Sequence, residues 1–449
     1  MTPPKPTSRP DRVSLWRYFR LFRKDILSAQ PQRLYRAWMA EFKTPFFRSY
    51  LTNQPELVGT VLKKRPDDFP KSDRIGEGLR PLLGNSVFLT NGENWKRQRR
   101  VIDPAFEGGR LKDTYPAMVQ AAEACVARLR GQAGSVIECE EVTSHVAADV
   151  IFRTLFSVPI DDRVASQVFE KFRTYQREQP LLNLAAFLPL PKWMPRLHSR
   201  KTRKTAREIR TLITEMTAQR ARMIEAGQAP HDLATKIMTT ADPKTGKCFD
   251  TQEMVDQVAI FFLAGHETSA SALAWALYLL ATHPDWQDKL AAEAQGLDLS
   301  DFTSVSLLNL SRDVFRETLR LYPPVPMMVR EATCRENFRG RAIKPGSQIV
   351  ISPWHLHRHE RLWADPDGFD PSRWAKGNEE SCPTEAFIPF SAGSRICIGA
   401  GFAMVEGPLL LSSLLRKFRF EISDTPEPVP VAHLTVRSKD GIWLRLVER

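Results

Sequence analysis

Phe390-Ser391-Ala392-Gly393-Ser394-Arg395-Ile396-Cys397-Ile398-Gly399 is the stretch on which the reading of this chain turns. It is a loop of small residues that runs into an apolar, helix-like stretch at 400–417. Cys397 therefore stands just before a helix start, where unpaired backbone N–H groups favour negative charge. Arg395 adds a positive charge two residues away. Both effects lower a thiol's pKa from about 8.5, and the thiolate is the form that binds metals. Gly393 and Gly399 leave room for tight backbone and for close approach of a flat ligand. Phe390 is placed to pack beside the sulfur and limit water. A low-pKa cysteine can equally be a nucleophile or a redox thiol. Nucleophilic catalysis asks for a positioned base, and the loop holds no histidine.

Working outward, the chain has 449 residues, 42% hydrophobic and 26% charged. This is the composition of a packed globular protein, neither disordered nor collagen-like. Lys plus Arg is 64 and Asp plus Glu 52, a net charge of +12. Such a balance favours acidic partners or anionic surfaces without choosing one. No helix-turn-helix, zinc finger or aromatic-interleaved basic sheet accompanies it, so nucleic acid is not expected. The six cysteines contain no CxxC pair, which excludes a zinc ribbon or a disulfide scaffold. No signal peptide is visible in Met-Thr-Pro-Pro-Lys-Pro. The longest apolar stretch, 258–281, is interrupted by His266, Glu267, Thr268 and two serines, which is costly in lipid. It reads as a buried helix, and a cytoplasmic location is the default expectation.

Helical patterns are predicted at 56–64, 117–130, 142–155, 166–177, 203–226, 251–283, 284–294 and 306–321. Strand-like pieces lie at 46–52, 327–332, 348–351 and 441–447. The segment 180–195 carries four prolines among Leu, Phe, Trp and Met, and reads as an apolar loop over a greasy pocket. No repeat, linker or composition shift divides the chain. The expectation is an arm at 1–30 followed by one domain at 31–449, mainly α with a smaller β part. Within the arm, 1–12 reads as disordered. In 13–27, Trp16, Phe19, Phe22 and Ile26 recur at helical spacing beside Arg17, Arg20 and Lys24. A basic amphipathic helix of this kind either docks on the body or makes peripheral contact with an anionic membrane.

Phe-x-x-Gly-x-Arg-x-Cys-x-Gly resembles the haem-ligand signature of the cytochrome P-450 family, and of its soluble, bacterial-type members. The resemblance implies one fold, with haem b between the long central helix and the loop, and Cys397 as the thiolate ligand of iron. A thiolate ligand pushes electron density toward bound oxygen and favours O–O cleavage. Three further matches follow the family's order. Ala264-Gly265-His266-Glu267-Thr268 resembles its acid–alcohol pair. There Ala264 and Gly265 leave space for a diatomic ligand, and Glu267 and Thr268 manage proton delivery. Glu317-Thr-Leu-Arg320, followed by Phe369-Asp-Pro-Ser-Arg373-Trp374, resembles its buried Glu–Arg–Arg network. Trp95-x-x-x-Arg99 resembles its haem-propionate contact, with Arg330 and Arg395 placed likewise.

The resemblance implies a monooxygenase acting on a small hydrophobic organic substrate, with electrons from a separate ferredoxin-type protein. The basic run 96–100 is the expected docking site for that protein, and 198–210 reads as a solvated helix face. A peroxide-driven haem enzyme and a haem sensor are the rival classes. His355, His357 and His359 would share one face of a strand and could bind a metal, but Asp365-Pro366 suggests a loop there instead. His266 reads as structural, and the other five cysteines read as buried thiols.

Overall fold

The computed structural model describes residues 2–43, 48–107, 109–178, 199–378 and 383–449. The predicted lid at 180–195 lies outside them. In chain order the helices are α1 (Leu15–Lys24), the short α2 (Pro55–Gly59), α3 (Asp73–Gly76) and α4 (Arg80–Leu83), and then α5 (Gly92–Phe106). They continue with α6 (Arg110–Arg130), α7 (Cys139–Phe156), α8 (Arg163–Glu178), α9 (Arg200–Glu225) and α10 (Leu233–Thr239). The last are α11 (Thr251–Thr282), α12 (Pro284–Gln295), α13 (Asn309–Leu321), α14 (Pro353–Leu356) and α15 (Ala400–Leu415).

The β part is small. Strands β1 (Met39–Lys43), β2 (Arg48–Thr52), β7 (Gln348–Ile351) and β4 (Met328–Glu331) form one sheet in that order, with β2 and β7 parallel. Strands β3 (Val136–Glu138), β11 (Trp443–Glu448) and β8 (Phe418–Ile422) form a second. Two hairpins complete it: β5 (Glu336–Phe338) with β6 (Arg341–Ile343), and β9 (Pro430–Ala432) with β10 (Val436–Ser438).

Helix α11 is the axis of the molecule. It begins at a reciprocal cap: Asp250 Oδ1 accepts from the Glu253 N–H at 2.7 Å, and Glu253 Oε2 accepts from the Asp250 N–H at 3.1 Å. Such a cap contributes about 1 kcal/mol. From Met254 to Leu280 the helix is apolar on almost every side and buried on almost every side, as a helix must be when others surround it. Phe262 packs on Phe152 of α7, ring centroids 4.4 Å apart. Each such phenyl stabilises the fold by about 1.5–3 kcal/mol.

The predicted helices start and stop within a few residues of the observed ones, with two instructive exceptions. Helix α6 begins at Arg110 and carries Pro116 inside it, where the sequence pattern starts after the proline. The α2 turn runs on as a π-helical turn, Thr60–Lys64. Residues 2–12, expected to be disordered, are bound to the body. The Tyr322 hydroxyl donates to the Pro4 carbonyl at 2.8 Å, and Arg9 Nε donates to the Ala29 carbonyl at 2.6 Å. Helix α1 docks through Tyr18, which stacks on Phe42 at 4.3 Å, while Trp16 stays 81% exposed.

Candidate active site

A cavity of about 1780 Å³ runs from the space between α11 and the 390–399 loop out to the N-terminal arm and the β9–β10 hairpin, larger than the roughly 300–1,000 Å³ of ordinary ligand pockets. Cys397 lines one side, with Phe390, Arg395 and Gly399. Phe261, Ala264, Gly265, Glu267 and Thr268 line the other. Cys397 is exposed to this cavity, which it lines, while protein atoms crowd the thiol from behind. The Cys397 N–H donates to the Phe390 carbonyl at 2.9 Å, which fixes the turn. Burial pushes the Cys397 thiol up, opposed by the Gly399 N–H and the Arg99 charge. The expectation of a lowered thiol pKa in the free protein is therefore corrected. Desolvation outweighs the helix start, and it is a coordinated metal that strips the proton from a thiol placed like this.

Two of the glycines at the site are pressed by protein neighbours. Gly393 has φ +71°, and a Cβ on it would sit 2.0 Å from the Leu62 carbonyl oxygen. Its bareness lets the loop rest on the Thr60–Lys64 turn. A Cβ on Gly399 would meet only Cys397 Sγ, at 4.0 Å, so no protein neighbour demands glycine there. On α11, a Cβ on Gly265 would lie 2.4 Å from Ile151 Cδ1. The packing of α7 therefore requires that glycine, which also lines the cavity.

Four cations converge on the Cys397 side of the cavity. Arg395 stacks on Trp95 at 4.7 Å and donates to the Pro66 carbonyl at 2.6 Å. Its Nε is buried without a hydrogen-bond partner among the described residues. Arg99 donates to the Ile396 carbonyl at 2.8 Å and pairs with Asp103 at 2.7 Å. Arg330 is buried on β4, and burial and then Arg395 bring its pKa down to about 10. Lys71, which carries no sequence signal, completes the group. It bridges to Arg330 through the backbone, its Nζ donates to the Val87 carbonyl at 2.7 Å, and burial, then Arg330, Arg395 and Arg99, lower its pKa to about 6. Among the described residues neither Lys71 nor Arg330 has a carboxylate partner. Like charges assembled this way are costly unless an anion joins them. A flat ligand carrying two carboxylates fits the group, with Cys397 as a fifth anchor.

Beneath this, the Glu317 carboxylate accepts from Arg320 (2.7 and 2.9 Å), Arg373 (3.2 Å), the Asp370 N–H (3.0 Å) and Trp374 Nε1 (3.0 Å). Trp374 thus joins the network through its indole, which supplies a donor. His355, His357 and His359 do not converge. His355 meets Ser352, His357 accepts from the Ile388 N–H, and His359 stacks on Trp38. No metal-holding group of His, Cys, Asp and Glu exists among the described residues. His266 is a core side chain bonded to Ser144 at 2.6 Å, its pKa lowered to about 3 by burial. Of the other cysteines, Cys125 and Cys139 are buried as expected but Cys248 is exposed, because it precedes α11 in a surface turn. Cys382 lies outside the described residues.

A loop that presents a cysteine, a cation group for two carboxylates and a facing helix with an acid and an alcohol together define a haem-thiolate oxygenase. The comparisons agree. Residues 32–444 match the family model described as Cytochrome P450. The chain is 32% identical over 391 residues to cyclooctat-9-en-7-ol 5-monooxygenase of Streptomyces melanosporofaciens, covering 85% of this chain and 81% of that one. It is 30% identical over 401 residues to a cytokinin hydroxylase of Arabidopsis thaliana, covering 88% and 77%. The crystal structure of the cytochrome P450DA heme domain superposes with a TM-score of 0.81 at 23% identity, covering 99% and 97% of the two chains. The chain belongs to the cytochrome P450 family and is a monooxygenase that uses haem with cysteine-thiolate ligation. Among the described residues no helix is long and apolar enough to cross a membrane.

Proposed function

We propose that this enzyme inserts one oxygen atom from dioxygen into a small hydrophobic organic substrate, with electrons from a separate ferredoxin-type protein in the cytoplasm. The observation that carries the reading is the cavity itself. Its helix face beside Thr268 presents Ile260, Phe261, Leu263 and Ala264, and Leu79, Leu89, Val325 and Met327 line it as well. The Streptomyces relative named above is a monooxygenase of cyclooctat-9-en-7-ol. Cys397 holds the iron, with Phe390 and Gly399 shaping the turn around it. Trp95, Arg99, Arg330 and Arg395 hold the propionates, and to them we add Lys71. The bound haem supplies the activation of dioxygen. Glu267 and Thr268 supply protons on the opposite face, while Ala264 and Gly265 keep the helix close to it. Glu317, Arg320 and Arg373 brace the Cys397 side.

The electron donor's docking site needs revision. Lys96 pairs with Asp67, Arg97 with Glu253, Arg99 with Asp103, and Arg100 with Asp242 and Glu93. The run 96–100 is therefore neutralised by its neighbours. Lys63 and Lys64 are exposed and follow Leu62, whose carbonyl abuts the Cys397 loop. An acidic carrier docks there by this reading, and its reduction rate falls steeply with salt. For the arm at 1–30, Arg17, Arg20, Arg23 and Lys24 have no carboxylate partner among the described residues. With exposed Trp16 they suit peripheral contact with an anionic membrane. Residues 31–449 make the single catalytic domain.

The test is spectroscopic. Reduced protein exposed to carbon monoxide gives the Soret maximum diagnostic of thiolate coordination, and Cys397→Ala loses it. An unchanged spectrum in that variant overturns the assignment.

A further inference from the structure

The proton route of the proposed reaction is interrupted at two points. Thr268 donates its hydroxyl proton to the Ala264 carbonyl one turn back, at 2.6 Å. Glu267 is turned to the C-terminal hairpin, where its Oε1 accepts from Thr435 Oγ1 at 2.7 Å and faces Arg437 Nε at 2.8 Å. Its Oε2 is buried with no hydrogen-bond partner among the described residues. A bare buried acceptor is costly, and such exceptions in folded proteins call for a reason.

Arg437 cannot pass a proton on, because a guanidinium does not deprotonate in proteins. It acts as a clamp. Its Nε holds Glu267, and another of its nitrogens reaches Gln176 Oε1 of α8 at 3.5 Å. The clamp rides on a hairpin of only three residue pairs. The turn of that hairpin, His433, Leu434 and Thr435, lines the cavity, and Leu434 is 42% exposed. Behind it, the Ser438 N–H donates to Glu140 Oε1 at 2.7 Å, and the Val436 N–H to the Pro324 carbonyl at 3.0 Å. A guest that fills the apolar cavity meets the hairpin.

We propose that Arg437 is a positioning residue: it holds Glu267 off Thr268 while no substrate is bound, and a substrate pressing on the β9–β10 hairpin frees the carboxyl to turn toward Thr268. Proton delivery is then tied to the presence of something to oxidise. The inference rests on Glu267 and Thr268 carrying protons, as proposed above. With substrate, R–H, O₂, two electrons and two protons give R–OH and water, the electrons coming from a one-electron carrier protein. Without substrate, O₂, two electrons and two protons give hydrogen peroxide, and the clamp suppresses this leak.

The experiment compares haem-loaded wild type, Arg437→Gln, Arg437→Lys, Thr435→Val, Glu267→Gln and Thr268→Ala. A surrogate ferredoxin and its reductase supply electrons, and no organic substrate is present. Arg437→Gln releases peroxide about tenfold faster than wild type, Thr435→Val a few-fold faster, and Arg437→Lys stays near wild type. A second readout needs no turnover: amide hydrogen exchange over 430–438 in the resting holoenzyme, with dodecylimidazole as a cavity-filling probe. The probe raises exchange several-fold in wild type, whereas Arg437→Gln is already fast and does not respond. The proposal is overturned if Arg437→Gln leaks like wild type, or if hairpin exchange ignores the probe, even where the variant melts at a lower temperature. If both readouts behave as expected but Glu267→Gln and Thr268→Ala reduce oxygen as wild type does, the assignment of the proton carriers has failed, and the proposal falls with it.

Discussion

Replacing Glu317 by alanine removes one side chain and leaves two buried guanidiniums behind. Glu317 and Arg320 have side chains 0% exposed, and Arg373 is 5% exposed. Five hydrogen bonds to the carboxylate disappear. Arg320 keeps the carbonyls of His357, Pro366 and Gly368, and Arg373 those of Ala364 and Asp365. The donors are therefore partly satisfied, but both charges lose their counter-ion. Breaking a buried pair this way costs about 3–5 kcal/mol, a large part of the roughly 5–15 kcal/mol that holds a typical fold. The chain contains its own control. Glu77 and Arg80 have the same spacing and an Nε–Oε1 distance of 3.1 Å, but are 23% and 37% exposed. That pair contributes about 0.2–0.5 kcal/mol. Urea unfolding of holoenzyme, followed by fluorescence and haem absorbance, should show a large midpoint shift for Glu317→Ala, a smaller one for Glu317→Gln, and almost none for Glu77→Ala. Equal shifts for Glu317→Ala and Glu77→Ala refute the argument that burial, rather than the motif, sets the energy.

Lys71→Met should flatten the pH dependence of the haem-free protein's stability. The folded pKa of about 6 lies below the ordinary 10.5, so the unfolded chain binds the extra proton between them, and wild type loses stability as pH falls through that window; equal slopes by thermal unfolding contradict this. Gly393→Ala, with φ +71° and a Cβ 2.0 Å from a carbonyl oxygen, should cost at least about 3 kcal/mol and speed haem loss. Gly399→Ala should stay within about 1 kcal/mol, and haem-dissociation rates separate the two. Deleting residues 1–27 should weaken co-sedimentation with anionic vesicles, and unchanged binding removes the membrane role of α1.

Much of this site is legible in the sequence because its parts are local. The Cys397 loop, the acid and alcohol of α11 and the Glu317–Arg320 pair each sit within a few residues, so spacing alone suggests their faces. Lys71, Thr435 and Arg437 have no such pattern. They reach the cavity from a loop and a hairpin far away in sequence, and only tertiary pairing, Lys71 with Arg330 and Arg437 with Glu267, reveals them. Gly265 is the converse: its smallness is plain in the sequence, but that Ile151 packs against it is a property of helix packing. The Cys397 thiol differs from its sequence expectation for a related reason: a helix start can be read from sequence, and desolvation cannot.

The contact between Gly393 and Leu62 has a consequence for biosynthesis. The cysteine loop rests on a turn at Thr60–Lys64, and β3 at Val136–Glu138 is completed by β11 at Trp443–Glu448. An emerging polypeptide therefore cannot close the pigment-binding chamber until residues 443–448 have cleared the ribosome, and a product truncated before them should be left without colour.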